Sequence, residues 1–186
     1  MALIDRVKNI LVTPKTEWSA IAGESPSVQS LYVGYIAILA AIGPIAVAVR
    51  FGLFGMGLGT ALISYVIGLI MIYLLAWIVD ALAPSFGGEK NFIRSLQLTA
   101  YSYTAAWVAG IFHLIPGVGG LLALAASIYS FYTFYLGAPV LKKCSQEKAV
   151  VYTIVVVLCA VVLGGVLSYV LFSSLMGGGM MGTMGM

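Results

Sequence analysis

The sequence predicts an all-α, polytopic membrane protein: a bundle of five transmembrane helices with short amphipathic helices at its N-terminus. Three observations predict it. Of the 186 residues, 62% are hydrophobic and only 8% charged, with a mean hydropathy of +1.09. A soluble domain carries about 25% charged residues, and a water-soluble fold cannot hide this much apolar surface. The charges are clustered, which leaves charge-free stretches of the ~20 residues that a helix needs to cross hydrocarbon. Finally, Lys and Arg segregate to one side once those stretches are threaded through a bilayer.

The arm, residues 1–27, comes first. Asp5, Arg6, Lys8 and Lys15 interrupt any apolar core of a signal peptide, so none is expected here. Leu3, Ile4, Val7, Ile10 and Leu11 recur at helical spacing, with Asp5, Arg6, Lys8 and Asn9 opposite. This pattern predicts a short helix lying in the headgroup layer. Thr13-Pro14 reads as an N-cap followed by a first-turn proline. Trp18, Ile21 and Ala22 give the apolar face of a second short helix. Interfacial anchoring, partner binding, and simple packing on the bundle are three readings of this arm. Amphipathic surface helices mostly anchor.

The membrane domain, residues 28–175, follows with spans at about 28–49, 58–83, 95–115, 119–141 and 149–175. Pro44 stands near the far end of the first, where a kink is tolerable. The gap from Arg94 to Lys142 is long enough for two spans and is divided at Pro116-Gly-Val-Gly-Gly. Residues 176–186, almost only Gly and Met, are expected to be a disordered tail. With five crossings, Arg6, Lys8, Lys15, Lys90, Arg94, Lys142, Lys143 and Lys148 share one side and Arg50 stands alone on the other. The positive-inside rule then puts the N-terminus in the cytoplasm and the tail outside. Small residues at every fourth position predict packing seams: Ser102, Ala106 and Gly110; Gly119, Ala123 and Ser127; Ala160, Gly164 and Ser168.

Asp80 is the one carboxylate inside a hydrophobic run. Counting back by fours gives Ala76, Ile72, Gly68 and Ser64, so it shares a face with small residues and points at other helices. Lys90, Arg94, a tyrosine hydroxyl or water are its candidate partners. One reading is a proton- or cation-linked site. The other is a structural contact that pins the second helix to the following loop, which a position near the interface favours. Tyr101, Tyr103, Tyr129, Tyr132, Tyr135 and Tyr152 gather on the same side. They read either as an interfacial belt or as a hydroxyl cluster around Asp80. The candidate polar site is therefore Asp80 with Tyr101, Tyr103, Tyr132, Tyr135, Lys90 and Arg94.

No enzyme is expected. His113, the only histidine, sits by the outer turn, a full ~30 Å hydrocarbon thickness from Asp80, so no Ser-His-Asp arrangement can join them. No cofactor, metal site, disulfide or nucleic-acid interface is expected either. The net charge of +3 is small and localised. Cys144 and Cys159 are too far apart along the chain to bridge. Cys144, beside the membrane, is open to acylation or is a plain loop residue. The tail methionines are soft ligands suited to Cu(I), yet glycine spaces them as a flexible tail. The expected partners are the lipid bilayer, other membrane proteins, or a second copy of the chain.

One family carries these features together. Pro14, Trp18 and Ile21 in the arm are followed by Asp80, Ala83-Pro84, Phe86-Gly87-Gly88 and Asn91-Phe92. Then come Ala100-Tyr101-Ser102, Trp107, Ile115-Pro116-Gly117 and Gly119, and Ile128-Tyr129-Ser130, Tyr132 and Tyr135-Leu136-Gly137. Lys148-Ala149 and Tyr152-Thr153 close the series. In order and spacing the chain resembles the YIP domain family, named for Ypt-interacting proteins, in its compact bacterial form. The resemblance covers about Pro14 to Leu175. It implies five transmembrane helices and a cytoplasmic N-terminus. Eukaryotic relatives bind small GTPases through an N-terminal region and act in vesicle traffic. The arm here is short and lacks a long acidic segment, so that role does not carry over. Thr104-Ala105 stands where relatives often have a proline, so the resemblance gives no ground for a proline kink there. The function expected is non-enzymatic, organising membrane or partner proteins. The alternative is a small transporter or ion-linked permease using Asp80 and the tyrosines.

Overall fold

A computed structural model describes residues 2–52, 56–115 and 117–182. The architecture is all-α. The arm forms α1 (Leu3–Val12) and α2 (Pro14–Ala22). Among the described residues, four helices are long and apolar enough to cross a membrane. The first is α3 (Val28–Phe51) and the second is α4 (Met56–Leu82), whose apolar stretch runs on through a 3-10 turn at Ala83–Phe86. The other two are α7 (Gly119–Lys142) and α8 (Gln146–Gly182).

The expected third crossing is broken. It consists of α5 (Phe92–Ser102), α6 (Thr104–Ala109) and a 3-10 turn at Gly110–Leu114. The break at Tyr103 occurs without a proline. Hydroxyls take the carbonyls there: Thr104 Oγ1 donates to the Tyr101 carbonyl (2.6 Å) and Thr133 Oγ1 to that of Ser102 (3.3 Å). Side chains that compete for helix carbonyls in this way interrupt the ladder. The segment still runs from one end of the bundle to the other. Ser95 meets Asp80 at the end of α4, and the His113 carbonyl accepts from Arg50, near the start of α4 (2.9 Å).

The polarity of the bundle is inverted relative to a water-soluble one. Ser95, Gln97, Thr99, Ser102 and Thr104 are buried, whereas Leu62, Val66, Trp77, Leu121, Ile128, Leu158 and Val161 face outward. Only 17% of the most apolar window of α8 is buried, so that helix is peripheral and presents itself to lipid.

Elsewhere the structure refines the expected packing. Within α3, a π-helical turn at Tyr32–Ile36 carries Tyr35 and Ile36 inward. The helix then turns at Ala41, because Pro44 has no N–H to offer the Ala40 carbonyl. Gly110 serves as a seam, its backbone lying against Gly43 so closely that a Cβ would meet the Gly43 Cα at 2.8 Å. Gly119 instead closes the turn before α7, where a Cβ would sit 2.3 Å from the Phe112 carbonyl oxygen. The tight position on α7 is Gly137, beneath Trp18 and Leu98. Ala160 packs on the core, but Ser168 is exposed. Residues 176–182, expected as part of a disordered tail, are described as the last turns of α8. Residues 183–186 lie outside the described residues, as does Pro116 of the divided gap.

The arm packs on the bundle rather than lying free of it. Trp18 and Ile21 are buried as expected, with Trp18 edge-on to Tyr101. α1 is turned from its expected orientation. Arg6, predicted on the polar face, is buried, and Ile4, predicted on the apolar face, is 78% exposed. Arg6 faces inward because Glu17 of α2 and Glu24 beyond it supply the counter-charge.

Candidate functional site

Two polar clusters meet on the first turns of α5. Asn91 caps that helix, its side chain accepting from the Arg94 N–H (3.1 Å), and so fixes where Arg94 and Ser95 point. The loop before it depends on glycine. Gly87 takes a left-handed φ of 73°, and a Cβ on Gly88 would strike the Lys142 carbonyl oxygen at 2.9 Å. The Glu89 N–H then donates to that same carbonyl (2.8 Å). The loop is thus sewn to the end of α7.

In the first cluster, Asp80 Oδ1 accepts from the Asn91 N–H (2.7 Å), Ser95 Oγ (3.0 Å) and Lys142 Nζ (2.9 Å). Lys142 is fully buried and also lies 2.7 Å from Ser95 Oγ and 3.2 Å from the Asn91 carbonyl. A buried ammonium needs three acceptors and a counter-charge, and this one has them. Beside it the Tyr152 hydroxyl donates to the Val79 carbonyl, and the Tyr152 ring stacks on Phe86 (centroids 5.0 Å).

In the second cluster, the Arg6 guanidinium reaches Glu17 and Glu24 and lies over the Tyr101 ring, 5.4 Å from its centroid. Asn9 Nδ2 donates to Glu17 (3.0 Å). Arg94 joins from α5, donating to the carbonyls of Glu24 (2.9 Å) and Ile21 (3.3 Å) and to Gln97 Oε1 (3.1 Å). A cation over the last carbonyls of α2 also suits the helix dipole.

The structure therefore divides the residues expected to gather around Asp80. Lys90 is exposed and makes no ion pair with Asp80 among the described residues, and Arg94 serves the arm. Tyr101 belongs to the second cluster, edge-on to Tyr35 (4.7 Å between centroids), whose hydroxyl lies 2.7 Å from Thr104 Oγ1. Tyr103 lies against Trp107, and the exposed Tyr132 lies beside Tyr129. Tyr135 is half-buried against the core. No tyrosine hydroxyl bonds Asp80 among the described residues.

The principal partner, Lys142, was counted in the sequence only as a loop cation. A signal for it was present: Ser130, Phe134, Ala138 and Lys142 fall four apart on one face of α7, and all are buried. Cys144 is buried, and burial pushes its thiol up. His113 lies at the Arg50 end, remote from both clusters, its Nδ1 2.7 Å from the Gly110 carbonyl.

With this geometry in place, comparison with known proteins gives one match. A family model, the Yip1 domain, matches residues 8–169. No curated protein and no solved structure matches the chain. The matched span takes in the Asp80–Lys142 cluster, the second cluster apart from Arg6, and all four candidate spans, and the chain belongs to the Yip1 domain family, whose members are generally non-enzymatic membrane proteins.

Proposed function

We propose that this Yip1-domain protein is a non-catalytic organiser of the cell inner membrane, a five-pass scaffold whose cytoplasmic end is locked by ion pairs and offers a fixed surface to lipid and to partner proteins. One observation carries the reading. Asp80 and Glu17 each hold a cation from another helix, Lys142 and Arg6, rather than standing free to exchange one. Acids used in this way pin elements together; an acid serving transport must be free to exchange its proton or cation.

The five-pass topology draws support from the end-to-end run of residues 92–114 and from the segregation of Lys and Arg. It predicts that reporters fused before Met1 and after Met186 lie on opposite sides of the membrane; same-side signals sink it. The function is tested in proteoliposomes holding a pH-sensitive dye. Protein-loaded vesicles are expected to pass protons and small cations no faster than empty ones. A flux that Asp80→Asn abolishes would overturn the scaffold in favour of a permease.

The permease is a second reading because one observation favours it. At the break in the third segment, the Ser102 hydroxyl is buried without a partner and faces a hollow of about 20 Å³ shared with Ser130, Phe134 and Val156. Interrupted helices near mid-depth are where transporters bind ions. The hollow has room for about one water, so a permease would have to open there.

A further inference from the structure

Two hollows adjoin where the arm meets the bundle. One, of about 330 Å³, lies between α6 and α7, with Ala105, Ala109, Ala125 and Ala126 among its walls and Phe112 and Leu122 among its other lining residues. The other, of about 500 Å³, sits at the turn between α1 and α2 and is bordered by Thr13, Lys15, Thr16 and Tyr132. Leu11 and Tyr129 line both. The Tyr129 hydroxyl donates to the Leu11 carbonyl (2.9 Å) and to that of Ile10 (3.2 Å), which holds the arm against α7 at the junction.

From Leu122 to Tyr132 the trough follows α7 for ~15 Å at 1.5 Å per residue, about half of the ~30 Å hydrocarbon thickness. Its length is that of one leaflet. Its two halves differ in chemistry. The stretch along α6 and α7 is apolar, and its alanines make it deep enough for a chain to lie against the backbone. The other half carries hydroxyls and a cation. Lys15 is exposed and makes no ion pair among the described residues, whereas Arg6 and Lys142 are each committed to a carboxylate. A lipid-facing groove cannot remain empty without losing dispersion contacts along its walls.

We propose that this trough is a phospholipid site: one acyl chain of an anionic glycerophospholipid lies between α6 and α7, and its phosphate sits on Lys15. The occupant is a lipid rather than a peptide because the apolar half opens at hydrocarbon depth. It is anionic because the free charge at the polar half is positive. The site rests on the membrane reading above but not on the number of crossings, so the topology reporters and a lipid assay fail separately.

The test is native mass spectrometry of the purified full-length chain, titrated in detergent with dioleoyl phosphatidylglycerol or dioleoyl phosphatidylcholine. One lysine beside an anionic headgroup is expected to favour the phosphatidylglycerol adduct about fivefold. Lys15→Gln should equalise the two lipids, and Ala125→Phe, which fills the groove from an exposed position, should lower both adducts. Soluble glycerol phosphate should not compete, since it lacks the chain. Equal retention of the two lipids by the unaltered protein, or adducts that survive Ala125→Phe unchanged, would overturn the site. If Ala125→Phe does not fold, Lys15→Glu decides alone: the exposed change is expected to reverse the preference, and a preference left intact refutes the proposal.

Discussion

The two ends of the bundle are built by different chemistry. At the Lys142 end, side chains do the fastening: Asp80, Asn91, Ser95 and Lys142 close one network, and Arg6, Glu17, Glu24 and Arg94 close another. At the Arg50 end, backbone contacts dominate. Gly43 lies on Gly110, Gly119 lies on the Phe112 carbonyl, and a single exposed arginine reaches the His113 carbonyl. The difference shows where this fold spends specificity. In lipid, apolar burial does not distinguish one helix arrangement from another. Register must come from close backbone approach or from polar pairs; the Arg50 end relies on the first, and the Lys142 end adds the second to the backbone contacts of Gly88 and Glu89 with Lys142.

The sharpest way to break the contrast is at Lys142. Lys142→Ala leaves the partly exposed Asp80 without its counter-charge, though still with the Asn91 N–H and the Ser95 hydroxyl, a loss of about 1–3 kcal/mol, read as a fall in membrane abundance and in the unfolding midpoint in detergent. The double change Asp80→Leu with Lys142→Leu removes both charges and is expected to recover most of that loss, because a buried ion pair and a well-packed apolar pair are often close in stability. If the double variant is as unstable as the single one, the surrounding Asn91 and Ser95 contacts matter more than charge balance.

This end is also where the sequence was least legible. The four candidate spans could be read because each depends on a local property, a charge-free window, and the same holds for the apolar hub of Trp18 and Ile21. Asp80 was found by being out of place. Its partner was not, because Lys142 lies 62 positions further along the chain and looks like every other cation that marks a loop. Arg6 was put outside for a related reason. A helical wheel assigns a lone charge to water and cannot see that Glu17, on the next helix, is turned toward it. The third segment, residues 92–114, is the mirror case. Gln97, Thr99 and Thr104 lower its hydropathy, and they do so because they face inward in a bundle whose interior is more polar than its surroundings. Hydropathy finds helices that face lipid better than helices that face other helices.

An effect of similar or smaller size is expected from the backbone seam. Gly110→Ala places a methyl 2.8 Å from the Gly43 Cα and 2.9 Å from its nitrogen. Neither atom can swing aside as a side chain end would, so α3 and the third segment must separate, at a cost of about 1–3 kcal/mol. The matching change at Gly43 is expected to be milder, since its Cβ would meet the Gly110 Cα at an ordinary 3.8 Å. Equal losses at the two glycines would mean that the helices cross differently from the arrangement described.

The smallest effect should come from Arg50, and its smallness is the informative part. Its guanidinium is exposed, donates one bond to the His113 carbonyl and lies over its own neighbour Phe51, 5.1 Å from the ring centroid. The carbonyl belongs to the last turn of a helical segment and is open to water once the arginine is gone. Arg50→Gln should therefore leave the unfolding midpoint within about 0.5 kcal/mol of the parent. Its consequence for topology runs the other way. In the five-pass topology proposed above, Arg50 is the one basic residue that opposes the segregation of Lys and Arg, so removing it strengthens the bias that orients the chain. Reporters at the two termini should keep their sides in Arg50→Gln and give a cleaner ratio. If the ratio blurs instead, the Arg50 end is held by that one hydrogen bond after all, and the division between a side-chain end and a backbone end fails.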